Sequence, residues 1–222
     1  MHNEKSGVSV ILYCLLLSVM LGLVLTIFWF QQARFLRPTP VPVSHKEVKL
    51  GTRPAFYQAG LELKSELSLL HFYNPDCPCS RFNKDHFRDL LNTYGQEVGF
   101  YIVLQAPTEE FDEEITAGKL QVLVDDDGKI ADLCGVYATP QAVVLDKAGS
   151  IVYRGNYNRA RFCSSRDSWF AQMALDAKLN ARPGLSLSEE AYVPYGCNLP
   201  SDGELLADNL GGLMNTIQQL IK

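Results

Sequence analysis

Two cysteines lie two residues apart in the segment Cys77-Pro78-Cys79-Ser80. A continuous apolar stretch, residues 67–73, comes directly before them and predicts a buried strand. Pro78 suits the first position of a helix, so Cys77 is expected at the helix N-cap. The unpaired amide groups and the partial positive charge at a helix N-terminus favour a thiolate and lower its pKa below the free value of about 8.5. The sequence therefore predicts a reactive thiol at Cys77.

The remaining cysteines pose a pairing problem. The chain has six: Cys14, Cys77, Cys79, Cys134, Cys163 and Cys197. Cys14 lies in an apolar run, which leaves five cysteines. Because five is an odd number, these cysteines cannot all pair within one chain, and at least one is free, catalytic or shared with a partner. A disulfide between Cys163 and Cys197 is expected to fasten the C-terminal part of the chain to the core. Cys134 is expected to be a small buried residue.

Strands and helices alternate along the part of the chain that must position these thiols. Strands are predicted over residues 67–73, 98–104, 122–124, 142–145 and 151–153, and helices over 78–94, 108–119 and 166–180. The last two strands form a hairpin, and an amphipathic helix with Leu206, Leu213 and Leu220 ends the chain. This order predicts a mixed, mainly α/β sheet flanked by helices.

The N-terminal part of the chain has a different character. Residues 8–30 form an uncharged apolar run that is long enough to cross a bilayer as a helix, which takes roughly 20 residues. No small-residue cleavage site follows, so we expect a retained single-pass anchor. Arg34 and Arg37 on one side and Lys5 on the other weakly favour a cytoplasmic position for the rest of the chain, although long domains cross membranes largely regardless of such charges.

The predicted organisation has five parts. These are a short tail (1–7), a transmembrane anchor (8–30), a proline-containing linker (31–54), a folded domain (55–182) and a C-terminal extension with an amphipathic helix (183–222). The formal net charge is −5 and no basic stripe is visible, which argues against a nucleic-acid partner. The acidic clusters at 109–114 and 125–127 are short and are expected to be solvated.

Two segments together resemble the thioredoxin superfamily. Residues 72–80, Phe-Tyr-Asn-Pro-Asp-Cys-Pro-Cys-Ser, are similar to the active-site segment of that superfamily, whose usual form has two cysteines separated by two residues. Residues 135–149 are similar to its cis-proline segment and the hairpin that follows. With the anchor, the chain resembles membrane-tethered TlpA/ResA-type proteins, and most closely a bacterial membrane-tethered branch of thioredoxin-like proteins.

The resemblance implies a fold and an activity. The fold would be thioredoxin-like, with an N-terminal transmembrane helix and a C-terminal helical extension. The activity would be thiol–disulfide exchange with a protein thiol or disulfide as substrate, without a cofactor or a metal. Cys77 would be the nucleophile, Pro140 the cis-proline that faces it, and Thr139 the residue whose backbone contacts a bound thiol or peptide. The tethered relatives imply the inner (cytoplasmic) membrane, with the domain in the periplasm.

The sequence departs from the superfamily pattern at two places. Ser80 occupies the position of the second cysteine, and a Cys77–Cys79 disulfide would close a small, strained ring. The resemblance makes Cys79 a candidate for the cysteine that releases the product, and Cys163, Cys197 or a partner's thiol could do so instead. His71 lies where the superfamily often buries an acid that moves protons; a histidine could do the same near neutral pH, or it could simply belong to the core.

Two other activities on the same fold remain open. A Sco-like copper module would hold copper(I) with Cys77, Cys79 and a histidine. Sco proteins, however, take that histidine from a late loop, and here all four histidines precede residue 140. A peroxiredoxin-like peroxide reductase would need a hydroxyl residue three positions before the nucleophile, where this chain has Asn74.

Overall fold

The structure is a computed structural model, and it describes residues 3–31, 37–56, 63, 65–105, 108–160, 165–181 and 185–199. The chain divides into two units, Met1–Arg37 and Pro38–Lys222. The predicted linker over 31–54 thus belongs to the second unit from Pro38 onward. The predicted C-terminal amphipathic helix lies outside the described residues.

The first unit contains helix α1, Asn3–Gln31. Within it, Ser9–Phe30 spans 22 residues at a mean hydropathy of 2.7. This is the one helix in the described part of the chain that is long and apolar enough to cross a membrane.

A five-stranded sheet forms the centre of the second unit. The strands are β1 (Leu67–Tyr73), β2 (Val98–Leu104), β3 (Gln121–Val124), β5 (Gln141–Asp146) and β6 (Ile151–Gly155), in the spatial order β3-β2-β1-β5-β6. The pairs β1–β2 and β2–β3 are parallel, whereas β1–β5 and β5–β6 are antiparallel. The mixed sheet predicted from the sequence is therefore confirmed.

Helices cover both faces of this sheet. They are α2 (Pro78–Tyr94), α3 (Asp112–Thr116), α4 (Lys129–Cys134) and α5 (Phe170–Leu179). Leu69 and Tyr73 of β1 pack in one apolar cluster with residues of α2 and α5, and Leu70 and Phe72 pack in the other with residues of α4. All seven residues of β1 are buried because successive side chains point to opposite, covered faces.

Several elements differ from their predicted bounds. The acidic helix predicted over 108–119 is confined to α3, because residues 109–111 form turns. The helix predicted from Arg166 begins as a short 3-10 helix, Arg166–Ser168, before α5. In α2, Phe87 is buried, whereas Phe82 is 48% exposed. The helical period places residue 87 near 90 and 91, which face the sheet.

Residues 38–56 run along the sheet domain and bond to it. The N–H of Gly51 donates to the Ile151 carbonyl at 2.7 Å, and the Ile151 N–H donates to the Thr52 carbonyl at 2.9 Å. Farther upstream, Thr39 donates its N–H to the Pro194 carbonyl at 2.8 Å. This segment therefore joins residues far apart in the sequence.

A second, small sheet lies beside the main one. It consists of β4 (Ala138–Thr139) and β7 (Cys197–Asn198), which are antiparallel. Ala138 is opposite Asn198, and Thr139 is opposite Cys197. This pairing brings a late cysteine to the segment that precedes Pro140.

Candidate functional site

Cys77 lies at the junction between β1 and α2, at the N-cap that the sequence predicts. Its backbone is extended (φ −82°, ψ 117°), and Pro78 begins the helix. The turn before it is fixed by Asn74, whose side-chain oxygen accepts the Asp76 N–H at 2.8 Å and whose carbonyl accepts the Cys77 N–H at 3.0 Å. As the N-cap residue, Cys77 lies at the positive end of the α2 dipole. The residue is 1% exposed, so the site is largely closed to water.

Cys77 is joined to Cys197 by a disulfide bond. The two residues are 120 positions apart, and their Cα atoms lie 5.9 Å apart, within the usual range for a disulfide. The predicted pairing of Cys197 with Cys163 is therefore not the one in the structure, since each sulfur forms one such bond. Cys163 itself lies outside the described residues.

The residues around Pro140 are in direct contact with this disulfide. The peptide bond between Thr139 and Pro140 is cis. The Thr139 carbonyl oxygen lies 3.5 Å from the Cys77 sulfur. When the disulfide is reduced, this oxygen can accept a hydrogen bond from the Cys77 thiol. Thr139 also faces Cys197 across the β4–β7 pair. Cys77, the cis-proline segment and Cys197 are thus brought together in one place.

Cys79 and Ser80 are both buried in the first turn of α2. Each is 0% exposed. The hydroxyl oxygen of Ser80 accepts the Asn74 N–H at 3.4 Å, so the side chain at the position of the usual second cysteine supports the turn. Cys79 is not part of a disulfide. Cys134 is also buried, as predicted, and burial raises the pKa of its thiol.

His71 lies inside the core below the site. Its Nδ1 atom is 2.7 Å from the Tyr157 hydroxyl, and its ring stacks on Phe87 with centroids 4.1 Å apart. Tyr73 and Phe111 surround it. Burial, and to a smaller extent the charge of His86, lower the pKa of His71 to about 3. The imidazole is therefore neutral at physiological pH, and its described ring contacts are aromatic.

His86 is a second buried histidine, which the sequence did not single out. It lies in α2 with its ring centroid 4.7 Å from that of Trp169, and it is 5% exposed. Burial lowers its pKa to about 4. Two neutral imidazoles thus pack on the sheet face that α2 and α5 cover. Among the described residues, no group of three or more His, Cys, Asp or Glu side chains is arranged to hold a metal ion.

Comparison with solved structures relates the fold to other proteins. The crystal structure of a hypothetical protein, SMc02350, from Sinorhizobium meliloti matches at a TM-score of 0.54 and 20% identity, over 71% of this chain and 97% of that one. The crystal structure of an uncharacterized conserved protein from Geobacillus kaustophilus matches at a TM-score of 0.52 and 19% sequence identity, over 72% of this chain and 96% of that one. The thioredoxin domain of a thiol-disulfide oxidoreductase from Bacteroides vulgatus matches at a TM-score of 0.37 and 16% sequence identity, over 49% of this chain and 89% of that one.

The fold of the second unit is thioredoxin-like. A parallel βαβ unit carries the cysteine at its first strand-to-helix junction, and an antiparallel hairpin follows the cis-proline segment. No protein in the curated set matches the chain. The profile of the family described as a domain of unknown function, DUF6436, matches residues 50–198, more than half of the sequence. The chain therefore belongs to the DUF6436 family.

Proposed function

We propose that this protein is a membrane-anchored thiol–disulfide oxidoreductase in which Cys77 attacks the substrate disulfide and Cys197 releases the product. The Cys77–Cys197 disulfide at the N-terminus of α2 is the observation that carries the proposal. It joins the thiol that the helix end favours to a second sulfur across the cis-proline segment. Such a pair is the minimum needed for a two-electron exchange.

The reaction consists of two displacements. The Cys77 thiolate attacks one sulfur of the substrate disulfide, forms a mixed disulfide and expels the other sulfur as a thiolate, which takes up a proton. The Cys197 thiolate then attacks the Cys77 sulfur, forms the Cys77–Cys197 disulfide and expels the second substrate thiolate. Two electrons pass from the cysteine pair to the substrate, and a protein or small-molecule dithiol must reduce the pair again.

The first displacement is assigned to Cys77 because of its surroundings. The N-terminal amides of α2 stabilise a negative sulfur at this position, both for attack and when Cys77 leaves during reduction of the disulfide. Cys197 belongs to the two-residue strand β7 and not to the first turn of a helix. The backbone of Thr139 is expected to align the incoming sulfur, and Pro140 to hold that backbone against Cys77.

Cys79 and His71 take no part in the two displacements of this proposal. The structure leaves Cys79 outside the disulfide, and the short spacing to Cys77 disfavours a bond between them. A proton-transfer role for His71 stays a prediction. An imidazole whose pKa is about 3 accepts a proton weakly at neutral pH, which favours a packing role through Tyr157 and Phe87.

The exchange can be tested with the full-length protein in detergent. After reduction and removal of the reductant, the parent protein is mixed with one equivalent of glutathione disulfide. We expect the Cys77–Cys197 disulfide and two molecules of glutathione for each protein. Cys197→Ala should stop with one glutathione attached to Cys77, and Cys14→Ala, a control in α1, should behave as the parent.

Two outcomes would contradict the proposal. One is that Cys77→Ala consumes glutathione disulfide as fast as the parent, because the nucleophile would then be another cysteine. The other is that the reduced parent does not react, which would make the bond a purely structural clip. Mass spectrometry of alkylated peptides distinguishes both from the expected result. Stoichiometric copper(I) binding by the reduced, unreactive parent would favour the Sco-like alternative.

A further inference from the structure

The segment that carries Cys197 lies against the cis-proline strand as a bound peptide would. This segment, residues 194–199, is called the Cys197 segment below. Cys197 pairs with Thr139 and Asn198 pairs with Ala138 in an antiparallel register, and the Leu199 N–H donates to the Tyr137 carbonyl at 2.9 Å. Main-chain pairing with an extended segment is a common way for proteins to bind peptides. Here the chain supplies that segment itself.

The side chains on both sides of Cys197 are buried. Tyr195 and Leu199, two positions before and after the cysteine, are only 7% and 6% exposed. The Tyr195 hydroxyl and the side-chain oxygen of Asn158 are 3.1 Å apart, and Leu199 joins the apolar cluster on the α4 face. The segment therefore has two buried side chains, each two positions away from Cys197 in the sequence.

Gly196 lets the segment approach so closely. A Cβ atom at this position would overlap the Thr139 carbonyl oxygen, and the backbone has a φ of 121°, which side-chain-bearing residues rarely adopt. A side chain here would push the segment away from β4. A substitution at Gly196 therefore weakens the pairing of the segment with β4 without removing either cysteine.

The outer edge of the Cys197 segment is covered by the chain that follows α1. Pro38 forms an antiparallel bridge with Tyr195, and Thr39 donates its N–H to the Pro194 carbonyl. The Thr39 hydroxyl also lies 3.4 Å from the Gly196 carbonyl oxygen. The segment is therefore held between Thr39 on one side and Thr139 on the other.

We propose that the Cys197 segment is an internal substitute for the substrate, and that the substrate is a polypeptide with an extended cysteine-containing segment of the same kind. This proposal rests on the proposed function. The preferred substrate cysteine has a small residue before it and large apolar residues two positions away on each side. The segment occupies the substrate's place while Cys77 and Cys197 are bonded, and it must leave β4 before a substrate strand can pair there.

The proposal adds an order of events to the exchange. A dithiol donor first reduces the Cys77–Cys197 bond: it transfers two electrons and two protons to the two cysteine sulfurs, which become thiols, and is itself oxidised to a disulfide. The Cys197 segment then leaves β4, and a substrate strand pairs with Ala138 and Thr139. Cys77 attacks the substrate disulfide, and the returning segment brings Cys197 to the mixed disulfide. Formation of the Cys77–Cys197 bond then releases the substrate thiol.

The test uses the Cys197→Ala protein, which stops at the mixed disulfide. The probes are synthetic seven-residue peptides in which the sulfur of the single cysteine is joined to glutathione by a disulfide. One peptide has the chain's own sequence from Val193 to Leu199, and in the other the residues corresponding to Tyr195 and Leu199 are serines. We expect the apolar peptide to modify Cys77 at least about tenfold faster, a ratio that corresponds to modest differential binding.

A second variant tests displacement of the internal segment. Adding Gly196→Ala to the Cys197→Ala protein should loosen the segment. It should raise the rate with the apolar peptide by a larger factor than the rate with glutathione disulfide, which needs no strand pairing. Equal rates for the two peptides would overturn the proposal, and this comparison stands even if the double variant does not fold. If Cys77 reacts with glutathione disulfide but does not discriminate between the peptides, only this inference fails. If Cys77 reacts with neither, the proposed function fails.

Discussion

Two cysteines separated by one residue have different roles at the residue scale. Cys77 caps α2 and is bonded to Cys197, whereas Cys79 is completely buried and outside the disulfide. The sequence offered both as exchange partners, and the choice depends on where Cys197 lies. Ser80 meanwhile supports the turn that presents Cys77.

Trapping of mixed disulfides can show whether Cys79 or Cys197 releases the substrate from Cys77. In cells that express full-length variants, Cys197→Ala should accumulate covalent adducts with other proteins on Cys77, because no internal thiol releases them. Cys79→Ala should accumulate few. Adducts are scored as reducible high-mass species on gels, and their loss in a Cys77→Ala background is the control. More adducts on Cys79→Ala than on Cys197→Ala would reverse the assignment.

Buried His71 predicts how stability depends on pH. Its pKa is lowered to about 3 in the folded protein, so between pH 6.5 and 5 the unfolded chain binds a proton that the folded chain does not. The folded state is therefore favoured above pH 6.5 and loses stability as the pH falls. One such histidine changes the folding equilibrium by up to about tenfold per pH unit.

The His71→Phe variant should show a shallower fall in the free energy of unfolding across this window, because a phenylalanine does not titrate. Denaturant titrations at pH 7, 6 and 5 on both proteins measure the difference in slope. His86, whose pKa is also lowered, remains in both proteins and supplies a common background. Identical slopes would mean that the pKa of His71 is the same in the folded and the unfolded protein.

At the element scale, the packing of α2 against the sheet sets the position of Cys77. Phe87 is 0% exposed and contacts the rings of His71, Phe100 and Phe111. The helix start is fixed by Pro78 and its end by Gly95. Because the helix is held along its length, the cap residue is held beyond the end of β1, the central strand of the sheet.

Two phenylalanines in α2 provide a matched pair for this packing. Phe87→Ala should lower the free energy of unfolding by about 3–5 kcal/mol, since it removes a buried ring and leaves a cavity. Phe82→Ala, on the exposed side of the same helix, should change it by about 0.5 kcal/mol or less. Chemical denaturation of both variants under oxidising conditions measures the two changes. Similar losses would place Phe82 in the core.

At the scale of the whole molecule, an apolar helix precedes a domain that contains a disulfide. Stable disulfides form in oxidising compartments. We therefore propose that α1 anchors the protein in the inner (cytoplasmic) membrane, with the domain in the periplasm, against the weak preference of Arg34 and Arg37. The disulfide and the helix support this placement, and a reporter fusion decides it.

A fusion to Lys222 should be active with a reporter that works only outside the cytoplasm and inactive with one that works only inside. A parallel fusion of residues 38–222 without α1 is the control, since it should stay inside the cell. Activity of the cytoplasmic reporter on the full-length protein would place the domain on the other side of the membrane. The same cells, treated with an alkylating agent, give the redox state of Cys77 and Cys197.

The sequence alone determined the features that depend on neighbouring residues. The apolar run 67–73 predicts β1, Cys77 and Pro78 predict the start of α2, and Gly95 predicts its end; all three agree with the structure. The mixed sheet follows from the order of such segments. These patterns are readable because strand and helix periods and caps are set within a few residues.

Only the tertiary structure decided the partners of the site. Cys77 and Cys197 are 120 positions apart, and the pairing of Thr139 with Cys197 and of Pro38 with Tyr195 depends on how the whole chain folds back. The sequence left Cys79, Cys163, Cys197 and a partner's thiol open as partners of Cys77, because cysteine spacing does not fix connectivity. The close approach that Gly196 permits likewise requires the position of a backbone oxygen 57 residues earlier in the chain, at Thr139.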